Sequence, residues 1–217
     1  MASNRDRAER CSVVCSSCRE RKRHEIQFQS RMRSTKKSKA VATGLAVYIR
    51  QPAEDDRDEL ISLNRASRRF YRGVASPIST PQQFDNYLNR CQREDYEGLL
   101  VCHRNDDAIV GLVNLSQIFR GGFQSAYLGY QVGAPFAGRG YMTEALQLVL
   151  RYAFDKMKLH RLEANIQPNN IASIALVKRA GFTKEGYSPR YLKICGRWRD
   201  HERWAILAED WRREKGR

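Results

Sequence analysis

Hydrophobic and polar residues follow two clear periods in the chain downstream of Val47. Between residues 141 and 157 the apolar positions recur three or four residues apart, which predicts one long amphipathic helix. Strict alternation over residues 125–132 and 161–166 predicts two strands, each with one face turned towards the core. These elements are consecutive, so the sequence predicts a strand–helix–strand unit in the second half of the chain.

Weaker patterns complete the series. Acidic residues open the helix predicted at 55–71 and arginines close it, as the helix dipole favours. Thr80 and Pro81 supply an N-cap and a first-turn proline for the next helix. The predicted strands are 47–50, 99–103, 108–118, 125–132, 161–166, 184–194 and 197–207, and the predicted helices are 55–71, 81–93, 141–157 and 170–180. We therefore expect an α+β (α/β) fold in which helices cover both faces of a mixed seven-stranded sheet.

Composition limits the class of protein. With 217 residues and 41% hydrophobic content, the chain suffices for one domain with a buried core. No apolar run approaches the ~20 residues that a membrane-spanning helix requires, so no membrane protein is expected. Six cysteines at irregular spacing do not predict a disulfide framework. We therefore expect reduced thiols and a cytoplasmic location.

The net charge of +15 is the unusual feature, and it is unevenly distributed. Residues 1–46 hold 12 Lys/Arg against four Asp/Glu and contain few large apolar residues. We interpret residues 1–45 as a disordered basic arm, 46–210 as a single folded domain and 211–217 as a basic tail. Such a charge suggests an acidic partner: nucleic acid, the ribosome, an anionic membrane surface or a polyanionic cofactor.

Three other interpretations of the arm are a secretory signal, a mitochondrial transit peptide and a misassigned start codon. A secretory signal would need an apolar segment, and a mitochondrial transit peptide would lack the four acidic residues. Translation that begins near Met32 stays open. The arm also contains zinc-ligand residue types in Cys11, Cys15, Cys18 and His24. Their spacing and the lack of a local core favour free thiols, so no metal is predicted.

A glycine-rich turn, residues 133–140, joins the strand at 125–132 to the long helix. Gly138 and Gly140 allow a sharp turn and a close approach of backbone to ligand. The unpaired N–H groups of the following helix start suit an anion such as pyrophosphate, and Arg139 adds a guanidinium. The turn lacks the Gly-Lys-Ser/Thr of a Walker A loop and the third glycine of a dinucleotide fingerprint.

The stretch Gly138-Arg139-Gly140-Tyr141-Met142-Thr143 resembles the acetyl-CoA loop of the GNAT superfamily of N-acetyltransferases. Pro135 stands where that family usually has Gln or Arg. A second segment, Asn170 to Ser173 followed by Gly181-Phe182, resembles the family's fifth strand and its following helix. Motifs at 119–123, 127–130, 185–187, 191–192 and 196–201 are similar to the RimJ/RimL type, which acetylates the N-terminal alanine of a ribosomal protein.

This resemblance implies a donor site. The fourth and fifth predicted strands should splay apart, so that the pantetheine of CoA lies between them. Backbone near Tyr130 and Val132 should then flank the thioester. The residues implied in CoA binding are Tyr130, Val132, Ala137, Gly138, Arg139, Gly140, Tyr141, Met142, Thr143, Asn170 and Ser173.

The resemblance also implies a reaction, which is direct acetyl transfer in a ternary complex. An α-amine has a pKa of about 7.7–8.0, so a strong base is not required. Ser173 corresponds to a serine that donates to the departing thiolate in RimL-like relatives. Their glutamate base corresponds to Leu192, so the base is open. Glu144 is a candidate by charge, with a helix-dipole role as the alternative.

The acceptor side is predicted from the same motifs. The residues expected to bind the acceptor are Arg120, Phe123, Tyr187, Tyr191 and Trp198. The expected function is acetyl-CoA-dependent acetylation of a ribosomal protein's N-terminal alanine. Two alternatives stay open: acetylation of another amine, such as a polyamine or an aminoglycoside, and a ribosome- or RNA-associated assembly factor that works through the basic arm. Monomer and dimer are both open.

Overall fold

A single open sheet of eight strands organises the described part of the chain, which is residues 38–215 of the computed structural model. The order across the sheet is β1-β2-β3-β4-β5-β6-β8-β7. The strands are β1 Ala40–Thr43, β2 Val47–Arg50, β3 Tyr96–His103, β4 Ile109–Phe119, β5 Ser125–Val132, β6 Arg161–Ile166, β7 Thr183–Ile194 and β8 Arg197–Leu207. Only β5 and β6 are parallel neighbours, and the other pairs are antiparallel.

Helices cover both faces of the sheet, which confirms the predicted α+β class. The helices are α1 Arg57–Ala66, α2 Pro81–Cys91, α3 Tyr141–Arg151, α4 Ile171–Arg179 and α5 Ala208–Lys215. The predicted helix at 141–157 is correct in extent, but its last part, Tyr152–Lys156, is a π-helical turn. There the N–H of Met157 donates to the carbonyl of Tyr152, five residues back, at 3.0 Å.

The two faces carry separate hydrophobic clusters. Successive residues of a strand point to opposite faces, so Leu99 packs towards α3 whereas Leu100 packs towards α1 and α2. The larger cluster includes Met142, Leu146 and Phe154 together with strand residues. The sheet is therefore buried on both sides along its centre, as an α+β layer structure requires.

Both ends of the folded part differ from the sequence prediction. Residues 40–43, assigned to the arm, form β1 and pair with β2, which gives eight strands rather than seven. Residues 211–215, assigned to the tail, belong to α5, whose Trp211 is 4% exposed and packs against Phe154 at 5.5 Å between ring centroids. The rest of the predicted arm, with its cysteines and His24, lies outside the described residues.

A gap opens between β5 and β6. The two strands pair over three positions only, from Ser125 with Arg161 to Tyr127 with Glu163. Beyond Tyr127, β5 stays paired with β4 as far as Val132, while β6 stays paired with β8. The predicted splay is therefore present, between the fifth and sixth strands because β1 adds one to the count.

Candidate functional site

The peptide groups of β5 point into the gap at two positions. The N–H of Gly133 donates to the carbonyl of Val110 at 2.8 Å. This bond places Gly111 and Val132 in a non-hydrogen-bonded pair of the antiparallel ladder. The peptide groups of Val132, and by the two-residue repeat those of Tyr130, therefore face away from β4. An N–H group at this edge can bind a carbonyl oxygen placed in the gap.

The glycine-rich turn begins where β5 ends. Gly138 and Gly140 have φ values of 75° and 81°, which L side chains rarely adopt. A Cβ added at either glycine would meet no atom within 4 Å, so the space above the turn is open. Gly140 is also the N-cap of α3. The turn therefore presents backbone, rather than side chains, to whatever lies above it.

The first turn of α3 is fixed by its side chains. Met142 is buried in the larger cluster, and the Tyr141 ring packs against His103 at 5.3 Å between centroids. The N–H groups of Thr143 and Glu144 donate to the carbonyl of Gly140 at 3.0 and 3.2 Å. The N–H groups at the start of a helix have no intrahelical acceptor, so Tyr141 and Met142 can donate outwards. This is the geometry that suits a phosphate.

The start of α4 forms the opposite side of the gap. Asn170 caps the helix, because its Oδ1 accepts the N–H of Ser173 at 3.3 Å. The hydroxyl of Tyr130 reaches across and donates to the carbonyl of Ser173 at 3.2 Å. Burial raises the pKa of Tyr130 to about 12. The N–H and the carbonyl of Ser173 are thus both hydrogen-bonded, which fixes the backbone from which the Ser173 side chain extends.

Glu144 lies in the first turn of α3 but faces another element. Its carboxylate accepts the N–H groups of Leu45 and Ala46 in the β1–β2 turn, at 3.1 Å for Ala46. A Cβ at Gly44 would lie 2.0 Å from this carboxylate, so the contact needs a glycine there. These bonds occupy Glu144 with backbone. Its assignment as a base stays a prediction, and this placement argues against it.

Two half-buried polar side chains flank the gap, and sequence reasoning missed both. The register puts Gln131 of β5 and Asn165 of β6 on the sheet face that carries α1 and α2. Gln131 Oε1 and Asn165 Oδ1 are shielded from solvent and have no hydrogen-bond partner within residues 38–215. A buried acceptor without a donor costs about 1–3 kcal/mol. A donor group placed between the two strands would remove that cost.

The loop after α1 covers the end of the gap. Ser67 Oγ accepts the N–H of Ala134 at 2.8 Å, and the Tyr71 hydroxyl donates to the carbonyl of Val132. Gln167, just after β6, donates to the carbonyls of Gly73 and Val74 at 3.3 Å. One segment therefore spans both strands that splay apart.

The β7–β8 hairpin meets the same loop. Cys195, at the tip of the hairpin, lies 3.4 Å from the Ser76 hydroxyl and donates weakly to the carbonyl of Ala75 at 3.8 Å. The pairing of β8 with β6 ends at Ile166, and residues 197–201 of β8 extend beyond that point. The hairpin and the loop after α1 thus converge beyond the open end of the gap.

Three of the predicted acceptor residues lie on this hairpin. Tyr187 and Trp198 are exposed, and the Tyr187 hydroxyl donates to Asp200, which lowers the pKa of that carboxyl. Tyr191 packs against His201 at 6.2 Å between ring centroids. The structure therefore brings these side chains to one side of the cleft.

The other two predicted acceptor residues lie at the far end of β5. Arg120 donates to the carbonyl of Met157 at 2.6 Å and so caps the end of the long helix. Phe123 is 76% exposed and, with Phe119, Tyr127 and Glu163, lines a cavity of about 220 Å³. Eight residues of strand, roughly 26 Å, separate this end from the glycine-rich turn. The structure does not bring Arg120 to the open end of the gap.

Residues 38–215 contain neither a metal-binding cluster nor a membrane-spanning helix. No group of three or more His, Cys, Asp or Glu side chains is arranged to hold a metal ion in this range. None of its helices is both long and apolar enough to cross a membrane.

Three features of this site occur together: β5 splays from β6, a glycine-rich turn follows β5, and α3 begins directly after the turn. This combination is typical of acetyltransferases that use acetyl-CoA. The acetyltransferase (GNAT) domain model matches residues 46–183. The chain belongs to this family of acetyltransferases.

Particular relatives match over different shares of their length. "Probable N-acetyltransferase YjcK" of Bacillus subtilis is 34% identical over 77% of this chain and 97% of its own. The [ribosomal protein uS5]-alanine N-acetyltransferase of Escherichia coli is 43% identical over 49% of this chain and 55% of its own. RimJ of Mycobacterium smegmatis in complex with CoA-disulfide has a TM-score of 0.69 at 27% identity, covering 76% and 83% of the two chains.

A relative with a different substrate also matches. The spermidine N(1)-acetyltransferase of Vibrio cholerae is 24% identical over 60% of this chain and 75% of its own. The family is therefore shown, whereas the acceptor amine has to be argued from the site.

Proposed function

We propose that the protein transfers the acetyl group of acetyl-CoA to the N-terminal α-amine of a protein, with a ribosomal protein beginning with alanine as the preferred acceptor. One observation supports acetyl-CoA as the donor. An open turn with two positive-φ glycines follows a strand whose amides face the gap. The 43% identity to an alanine N-acetyltransferase supports the acceptor half.

The residues present suit each part of acetyl-CoA. Amides between Ala137 and Thr143, among them those of Tyr141 and Met142, would bind the pyrophosphate at the helix start. The pantetheine amides would pair with the gap-facing peptide groups of Tyr130 and Val132. The N–H of Val132 would lie beside the thioester carbonyl and stabilise the negative charge that develops on its oxygen.

The reaction needs a neutral amine and a leaving thiolate. At neutral pH an α-amine with a pKa of about 7.7–8.0 is partly deprotonated already. The amine nitrogen attacks the thioester carbon, the carbon–sulfur bond breaks, and the amine proton leaves to water. The hydroxyl of Ser173 would donate to the departing sulfur, assisted by the positive end of the α4 dipole.

The charge of the described cleft favours this acceptor over a polyamine. A polyamine carries several positive charges and needs carboxylates to hold them. The residues that converge beyond the gap, Arg72 on the loop and Lys193 and Arg197 on the hairpin, are cationic and exposed. Positive charge at this position would repel spermidine.

Acetyl transfer to defined amines tests the proposal. Purified protein and acetyl-CoA are incubated with a peptide that begins with alanine, with the same peptide carrying an N-formyl group, and with spermidine. Mass spectrometry should show one acetyl group on the α-amine of the first peptide and none on the formylated control. Preferential acetylation of spermidine, or of a lysine side chain in the formylated peptide, would contradict it.

A further inference from the structure

The net positive charge of the folded part is concentrated in two segments. Residues 60–84 contain four arginines, and residues 186–199 contain three arginines and one lysine, and neither segment has a single Asp or Glu. Their joint charge of +8 exceeds the +7 of residues 38–215 as a whole. The remainder of that part is therefore close to neutral. We call these two segments the cationic rim.

Among residues 38–215 the rim cations have few partners: Arg65 Nε donates to the carbonyl of Ser79 at 2.8 Å, and Asp200 lies beside Arg190, whose backbone N–H it accepts at 2.7 Å. The rim cations are Arg65, Arg68, Arg69, Arg72, Arg190, Lys193, Arg197 and Arg199. None forms an ion pair with a carboxylate of residues 38–215, whereas other cations such as Arg50, Arg57 and Arg161 do. Arg199 Nε is even shielded from solvent without a hydrogen-bond partner in the described range.

The two segments meet at the open end of the gap. Ser76 of the first lies 3.4 Å from Cys195 of the second. Tyr71, next to Arg72, hydrogen-bonds to the carbonyl of Val132, which is the last residue of the strand that borders the gap. A chain that enters the cleft from this side would therefore pass along both segments of the rim.

We infer that the cationic rim selects acceptors whose first residues after the reacting amine are acidic. This inference rests on the proposed function, because it takes the acceptor to be a protein N-terminus. A planar guanidinium binds a carboxylate through two parallel hydrogen bonds, and an extended peptide presents side chains every ~3.4 Å. Aspartate and glutamate in the first eight or so residues would therefore find partners on both segments of the rim.

The charges act on binding rather than on the acetyl transfer itself. Exposed charges around a cleft chiefly accelerate encounter and are screened by salt, with a Debye length of about 10 Å at 0.1 M. The expected signature is a lower KM for acidic acceptors at an unchanged kcat. The preference should weaken steeply as the salt concentration rises.

Two matched peptides of twelve residues test the inference. Both begin with alanine; one has Asp and Glu at positions 3–8, and the other has Asn and Gln there. We expect a KM about tenfold lower for the acidic peptide at low salt, an equal kcat, and a difference that vanishes at about 0.5 M salt.

Variants locate the effect. The triple substitution Arg68→Gln, Arg69→Gln and Arg72→Gln should remove the preference, and the corresponding glutamate variant should favour a lysine-containing peptide. The control Arg151→Gln, Lys156→Gln and Arg179→Gln removes the same charge from exposed positions outside the rim and should keep the preference.

Three results would overturn the inference. The first is equal KM values for the two peptides, which would leave the proposed function intact because both would still be acetylated. The second is a preference that survives in the rim variant. The third is inhibition by a single-stranded RNA of about 20 nucleotides without any difference between the peptides, which would assign the rim to nucleic acid. If neither peptide is acetylated, the proposed function itself fails.

Discussion

The two sides of the cleft are built from different parts of the polypeptide. The proposed donor side, which is the end of β5 and the turn at 133–140, presents backbone amides whose directions are set by Gly138 and Gly140. The proposed acceptor side presents side chains, the cations of the rim and the exposed rings of Tyr187 and Trp198. In the proposed function, backbone recognises the phosphates and amides common to every acetyl-CoA, whereas side chains can change without altering the fold. This difference would let one family act on amines as unlike as those named for two relatives, a ribosomal protein's alanine and spermidine.

The sharpest way to break the donor side is to change its backbone. Gly140→Val forces a β-branched residue into φ 81° and puts a side chain into the open space above the turn. We expect acetyl-CoA affinity to fall by a factor on the order of 100 or more, because the amides that face the phosphates are redirected. Isothermal titration calorimetry measures the change.

A matched control for that variant is Gly122→Val. Gly122 lies in the β4–β5 hairpin, has open space around its Cα and does not need a positive φ. Its acetyl-CoA affinity should match that of the unmodified protein. If Gly140→Val also retained affinity, the donor side would not depend on backbone geometry and the comparison between the two sides would fail.

A second test separates chemistry from binding at the start of α4. Ser173→Ala keeps the backbone bonds to Asn170 and Tyr130 but removes the hydroxyl. We expect kcat to fall on the order of tenfold, less than the ~100-fold or more typical of a proton donor, because a thiolate leaves readily. The Kd of acetyl-CoA should stay within about twofold, since proton donation acts on the step after binding.

The conservative variant Ser173→Thr retains a hydroxyl and should recover most of the rate, as rapid-quench measurements would show. Unchanged turnover in Ser173→Ala would remove this residue from the reaction and leave the helix dipole as the only aid to the thiolate.

Elements that local sequence patterns determine were predicted correctly, whereas those that depend on distant contacts were not. Strands 125–132, 161–166 and 197–207 were predicted with their exact bounds, because alternation and turn residues mark them. The glycine-rich turn at 133–140 was predicted as a turn because its glycines form a short local motif, whereas its role in binding acetyl-CoA stays a prediction. Predicting these strands and this turn did not require knowing which residues pack against them.

Features that depend on distant contacts were missed. β1 is four residues long, and what holds it is pairing with β2. α5 is mostly charged, with Trp211 as its single large apolar residue. Gln131 and Asn165 occupy polar positions in alternating strands, which in a sequence look like a solvent face. The pairing of residues 60–84 with 186–199 joins segments more than 100 residues apart, so no local pattern predicts the rim.

A smaller effect on stability and turnover is expected at Tyr130, whose side chain links β5 to the start of α4. Tyr130→Phe removes the hydrogen bond from β5 to the carbonyl of Ser173 and should lower the free energy of unfolding by about 1 kcal/mol. Turnover should fall severalfold, because the first turn of α4 is held less firmly.

The raised pKa of the Tyr130 hydroxyl predicts how the Tyr130→Phe variant depends on pH. With a pKa of about 12, the Tyr130 hydroxyl stays protonated throughout the range in which the acceptor amine titrates. The rise of kcat/KM with pH up to about 8 therefore belongs to the amine and should be identical in Tyr130→Phe. A shifted pH–rate profile would show that Tyr130 exchanges a proton during the reaction.

The smallest effect is expected at Glu144, and it decides whether this residue belongs to the reaction or to the scaffold of the donor side. Its carboxylate holds the N–H groups of Leu45 and Ala46 in the β1–β2 turn. Glu144→Gln weakens these charge-assisted bonds and the favourable interaction with the α3 dipole, so thermal or chemical unfolding should show a loss of about 1 kcal/mol. Asp58→Asn, in the first turn of α1, measures the dipole contribution by itself. The kcat should stay within about twofold in both variants, because general-base loss would cost about 100-fold or more. A large fall in kcat with unchanged stability would restore Glu144 as the base and would place a side chain, not backbone alone, on the donor side.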